Sequence, residues 1–539
     1  MSTPRGPRHH LAPAALRVAS LLALLGGAGC AATPAPAPDP DVRLVVALVV
    51  DQLRADLLTR YDTLFTGGFR RLADQGFRYT NATQDHAVTE TAAGHATLST
   101  GVVPSKHGIV SNTWYEERDG TWTAVYAVED PSSPVLGEPD LEGRSPANLE
   151  RDGLADWMRA HRPEARVASV SRKDRAAITM AARQRGEVYW LSPGSGRFVT
   201  SAFYTDAYPE WLDRFNRDTL PVFYADSVWE QKWPEKRFAT PRGDTAAYEG
   251  DGVHSYFPHR FTDESRRQDT RGFNLWIAET PVIDAATLAL ARAALTELAL
   301  GQDSVPDYLS VSLSQTDAVG HDYGPLSREQ LDNLLRLDQE LGDFLAFLDR
   351  TVGPEHWVLG LSADHGVVDV PEYLASLGVD AGRLNRAQLD EVRKILDSVS
   401  TPTGAQRVRD LSAALPRLPF IVSAPILGYV ADTEQAADTF QRLWENSWFP
   451  GRATGPLAAE GLEVLLTEHW LWTTDLRGTT HGSPYLYDRS VPLVFLGAGV
   501  RAGSSDEPAR TVDFAPTLAA LAGIPTPADL DGRPLPVSR

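Results

Sequence analysis

Aliphatic and β-branched residues gather in short runs at wide intervals along the chain. The first, Val42 to Val50 (VRLVVALVV), is nearly continuous rather than alternating. That is the pattern of a strand buried on both faces of a parallel sheet. Further runs at Arg166–Ser171, Tyr308–Ser314, Trp357–Leu361 and Val491–Leu496 predict more strands. Helical spacing fills the gaps. Asp284–Leu300 predicts a helix with an Asp cap and an Ala/Leu face. Ser327–Asp349 predicts a longer one, apolar at Leu331, Leu334, Leu335, Leu341, Phe344 and Phe347. Strands alternating with helices imply an α/β fold with a mostly parallel sheet.

Acidic residues stand at the carboxyl ends of three predicted strands: Asp51, Asp317 and Asp364. Ligands of open α/β sheets collect along that edge. Residues 187–271 and 371–455 break the pattern, with many Trp, Tyr, Pro and turn residues and few clean sheet runs. They are expected to be insertions or cap elements over the sheet edge.

Ahead of the first strand, residues 1–29 have the form of a signal peptide: Arg5, Arg8, His9 and His10, then an apolar run from Val18 to Gly29 too short to span a bilayer. Gly27–Cys30 resembles a bacterial lipoprotein box, with Gly27 where Leu is usual. Cys30 is the only cysteine, so it is either a lipid anchor or an idle thiol, and no intrachain disulfide can form. Residues 30–41, rich in Pro and Ala, form an extended tether. The expected location is outside the cytoplasm: periplasmic, with the outer membrane as the lipid-anchored variant. The remaining 42–539 are expected to form one domain with its insertions.

The 539 residues are enough for a large core, and the formal net charge is −20. A nucleic-acid polymer is repelled on average and is excluded as a partner. A small anion is not excluded, because bound metal outweighs the global field locally.

Candidate chemistry sharpens that point. Asp317-x-x-x-His321, Asp364-His365 and His481-Gly482 add three imidazoles to the three carboxylates. Mixed oxygen and nitrogen donors suit zinc, with manganese or iron as competitors, and six such residues divide naturally between two cations. His86, His95, His107, His254, His259 and His356 are read as structural. In TETAAGHATLSTG (Thr89–Gly101), Thr91 stands near a helix start, either as an activated nucleophile or as a plain cap. Glu90 beside it must point away from any bound phosphate.

Together, Asp51, Thr91-Ala-Ala-Gly-His95, Asp317-x-x-x-His321, Asp364-His365-Gly366 and His481-Gly482 resemble the alkaline phosphatase superfamily. Asp513-Phe-Ala-Pro-Thr517 and Asp531-Gly-Arg-Pro-Leu535 extend the resemblance to the end of the chain. It implies a doubly wound sheet flanked by helices and two Zn²⁺ ions. Asp317, His321 and His481 would hold one ion; Asp51, Asp364, His365 and Thr91 would hold the other. The chain looks most like the PafA-type alkaline phosphatases, with Asn112 in Gly-x-x-x-Asn and Lys173-Asp174-Arg175. By that likeness Asn112, Lys173 and Arg175 bind the three non-bridging oxygens of a monoester.

The resemblance implies hydrolysis of small phosphate monoesters through a phosphothreonine at Thr91. A phosphodiesterase or nucleotide pyrophosphatase of the same superfamily is the rival. A non-catalytic phosphate-binding surface lipoprotein is the remote alternative. A sulfatase is disfavoured because no Cys or Ser stands in a C/S-x-P-x-R motif.

Overall fold

The computed structural model describes residues 41–234, 242–250, 252–264, 268–399, 404–427 and 439–538. The expected signal peptide, Cys30 and the expected tether through Pro40 lie outside the described residues. Nine strands make one sheet: β1 (Leu44–Val50), β2 (Phe77–Tyr79), β3 (Val167–Ser171), β4 (Glu187–Ser192), β5 (Arg197–Val199), β6 (Asp307–Leu313), β7 (Trp357–Ser362), β8 (Leu493–Gly497) and β9 (Gly503–Ser505). Their order is β9-β2-β8-β7-β1-β6-β3-β4-β5. The middle five, β7-β1-β6-β3-β4, are all parallel. The predicted strand near Val491–Leu496 is present as β8, but it runs antiparallel to β7.

β1 explains the architecture. Leu44, Val46, Leu48 and Val50 belong to one apolar cluster, and Val45, Ala47 and Val49 to another. Side chains alternate across a strand, so a strand apolar at every position must feed two cores. On one face lie α3 (Val282–Glu297) and α5 (Arg328–Thr351). On the other lie Leu98 of α1 (Thr91–Thr100) and Phe514 and Leu518 of α6 (Phe514–Leu521). Two further helices matter below: α2 (Asp174–Met180) and α4 (Gln315–Tyr323).

Three expectations need correction. The stretch 187–271 does not begin as an insertion, because β4 and β5 form one edge of the main sheet. Its aromatic content masks strand patterning: Tyr189 and Trp190 are strand residues buried on opposite faces. The second stretch builds a small core of its own around Leu384, Leu411, Phe420 and Leu462, which runs past residue 455 to include Leu466. Asp284 does not cap its own helix either. It sits in the first turn of α3, whose N-cap is Pro281, and accepts the backbone N–H groups of Ser314 (2.9 Å) and Gln315 (3.2 Å). It therefore caps α4, the helix that carries Asp317 and His321.

Register brings the site together. Val50 pairs with Leu313, Val49 with Ser362, and Ser312 with Ser171. The segments after β7, β1, β6 and β3 thus leave the sheet side by side. They carry Asp364, Asp51, Asp317 and Lys173 respectively.

Candidate metal centre

The six candidate ligands form two groups: Asp317 with His321 and His481, and Asp51 with Asp364 and His365. Within each group the ligand atoms lie within 4.8 Å of one another. The groups are adjacent, since the His365 and His481 rings stack with centroids 3.6 Å apart. Asp317 and His321 share one face of α4 because they are four residues apart.

Every imidazole is oriented the same way. Nδ1 of His321 meets Thr479 O (2.9 Å), Nδ1 of His365 meets Gly366 O (2.9 Å), and Nδ1 of His481 meets Thr89 O (2.6 Å). A carbonyl accepts only, so each Nδ1 carries the proton and donates. Each Nε2 then presents a lone pair. His321 Nε2 faces Asp317 Oδ1 at 3.1 Å, and His365 Nε2 lies 3.5 Å from Asp51 Oδ1 and 3.4 Å from Asp364 Oδ2. Asp51 Oδ1, Asp364 Oδ2 and His365 Nε2 are buried without a hydrogen-bond partner. Lone pairs that face carboxylate oxygens repel unless a cation lies between them. The donor set therefore fits metal ions, and its imidazole–carboxylate mix fits zinc.

Charge in the pocket is uneven. Burial and the neighbouring Asp364 push the Asp51 carboxyl well above the usual carboxylate range. Burial acts the same way on Asp317, but the adjacent Lys173 charge outweighs it and holds that carboxyl well below. Burial, with His365 and His321 beside it, keeps His481 neutral far below its ordinary value. A neutral imidazole is the form that binds metal.

Thr91 is buried at the first position of α1, not at its cap. Glu90 is the N-cap residue but makes no cap bond. Its carboxylate accepts Ser111 Oγ (2.8 Å) and the Asn112 N–H (2.7 Å), which turns it away from the site. Lys173 is buried: its Nζ sits 2.6 Å from both Asp51 Oδ2 and Asp317 Oδ2 and 3.4 Å from Thr91 Oγ1. It is not a solvated helix start. Asn112 accepts the Ala92 N–H through Oδ1 (2.9 Å), which fixes its amide next to Thr91.

Arg175 lines a cavity of about 530 Å³ together with Lys173, Arg172, Asp317 and His321. The Asp174 carboxylate beside it is taken up by Arg144 Nε (2.7 Å) and Tyr126 OH (2.5 Å). Arg175 Nε is buried without a hydrogen-bond partner.

Sequence reasoning missed two residues. His95 was read as structural. Its Nδ1 lies 2.8 Å from Thr91 O and 3.2 Å from Asp364 Oδ2, and its Nε2 lies 2.8 Å from Ser312 Oγ. It bonds the Thr91 backbone and lies against a candidate ligand at once. Gln52 adopts a left-handed φ of 66°. Its backbone N–H reaches Asp364 Oδ1 (3.1 Å) and its amide reaches Asp317 Oδ1 (2.8 Å), which links the two groups. The available signals were spacing: His95 stands one helical turn after Thr91, and Gln52 directly follows Asp51.

Residues 45–406 match the model of the type I phosphodiesterase / nucleotide pyrophosphatase family. The chain belongs to this family. The family member is 32% identical to "Alkaline phosphatase PhoV" of Synechococcus elongatus over 517 residues, covering 91% of this chain and 92% of the relative. It is 29% identical to "Alkaline phosphatase PafA" of Elizabethkingia meningoseptica, covering 92% and 94%. A crystal structure of wild-type alkaline phosphatase PafA superposes with a TM-score of 0.83 at 28% identity, covering 93% of this chain and 99% of that one. The family member thus has the α/β fold of PafA.

Proposed function

We propose that this chain hydrolyses small phosphate monoesters at a site holding two zinc ions, with Thr91 as nucleophile. Its place among phosphate monoester hydrolases of the alkaline phosphatase superfamily follows from its family and its alkaline phosphatase relatives. Metal dependence goes with that family, and the two groups of ligand atoms agree with it. One observation carries the finer reading: imidazole nitrogens and buried carboxylates gather in two groups of ligand atoms beside a buried threonine hydroxyl.

Asp317, His321 and His481 would hold one ion, and Asp51, Asp364 and His365 the other. When bound, the ions supply positive charge for the phosphoryl oxygens and lower the pKa of coordinated hydroxyl groups. The chain's own residues do the rest. Thr91 Oγ1 attacks phosphorus, a P–O bond to the substrate alcohol breaks, and a phosphothreonine forms. Water then attacks the same phosphorus, releases phosphate and restores the hydroxyl. His95 and the Ala92–Asn112 bond keep Thr91 in place through both displacements.

Lys173 and Arg175 bring cationic groups to the phosphoryl position, and Asn112 brings an amide. A monoester dianion has one more charge and one more free oxygen than a diester, so these donors favour the monoester. We also propose that the leader exports the chain and that Cys30 anchors it through lipid.

The test compares nitrophenyl phosphate with its methyl diester. Wild-type protein should prefer the monoester by orders of magnitude in kcat/KM. Thr91→Ala should lose about a thousandfold or more in kcat while retaining fold and metal. Diester preference would establish the phosphodiesterase rival, and undiminished Thr91→Ala turnover would remove the nucleophile assignment.

A further inference from the structure

A second cavity, of about 540 Å³, meets the site at His481. Its chemistry is unlike that of the arginine-rich cavity beside Arg175. Trp444, Trp470, Trp472, Tyr485 and Tyr487 line it. The phenol ends of the two tyrosines are engaged. Tyr485 OH donates to Leu466 O (2.6 Å), and Tyr487 OH accepts the His469 N–H (3.3 Å). Their rings, 5.6 Å apart and tilted by 33°, offer faces and edges rather than hydroxyls. Trp472 is 49% exposed at the mouth.

Trp444 backs the cavity from within the fold: it is 5% exposed and shares an apolar cluster with Ala87, Val88 and Leu443.

Resting on the phosphatase reading, we infer that this cavity receives the alcohol portion of the substrate. The preferred substrate class is then phosphate monoesters of flat aromatic alcohols. Aromatic walls stack on flat rings, and a cavity of this size accommodates a two-ring group. Because His481 belongs both to the ligand group and to the cavity wall, a phosphate at the site places its alcohol at the entrance.

The test compares 2-naphthyl phosphate with glycerol phosphate on the metal-loaded full chain. Trp472→Ala should raise KM for the naphthyl ester and lower the naphthyl-to-glycerol ratio of kcat/KM about fivefold. Glycerol phosphate turnover should be unchanged in the variant, which also reports that it folds and that the phosphatase reading holds. A naphthyl-to-glycerol ratio that stays at the wild-type value in Trp472→Ala would overturn the inference and leave that reading intact.

Discussion

His95 shows how a single buried side chain serves the site without standing among its six ligands. One ring edge faces Thr91 O and Asp364 Oδ2, and the other is held by Ser312 on β6. Removing such an orienting group typically weakens metal binding ten- to a hundredfold. We expect His95→Phe to weaken binding at the Asp51/Asp364/His365 group by about that much, measured by competition with a coloured chelator. Unchanged affinity would leave His95 as packing alone. The ligands themselves were legible because Asp and His at strand ends and helical spacing are rare together. His95 was not, because a histidine inside an Ala-rich helix is indistinguishable in sequence from a satisfied core residue. Asp284 misled for a related reason: an Asp at a helix start reads as that helix's own cap, whereas its carboxylate serves the neighbour that bears Asp317.

At the scale of elements, α1 is pressed against the loop after β7. A Cβ at Gly94 would overlap the Asp364 carbonyl oxygen and Cα, so only glycine permits this approach. Gly94→Ala should therefore separate Thr91 from Asp364. We expect a loss of roughly 1–3 kcal/mol of stability from overpacking, read by denaturant melts, together with a fall in kcat. Wild-type stability and activity would show that the contact yields freely. The long buried strands β1, β6 and β7 were readable as apolar runs. The three-residue strands β2, β5 and β9 were not, because so short a segment carries no period of its own and is defined by its partners. β4 was hidden differently, since its aromatic residues resemble those of a cap.

Over the whole molecule, buried histidines tie stability to pH. His86 is completely buried, neither ring nitrogen has a hydrogen-bond partner, and burial with the Arg489 charge brings its pKa down to about 3. Unfolded, it titrates near 6.5. Between those values the unfolded chain binds a proton that the native chain refuses. This contribution to stability is thus complete above pH 6.5 and is lost as pH falls toward 3. Melts of metal-free protein should show that fall, and His86→Phe should flatten it. An equal slope in the variant would assign the acid sensitivity to other groups.

The metal content of the active full chain, determined by elemental analysis alongside kcat, bears most directly on the two-cation site next to Thr91. Two zinc ions per chain are predicted, retained in Thr91→Ala, with chelation abolishing turnover and added zinc restoring it. Full activity in protein that carries one ion or none would contradict the account.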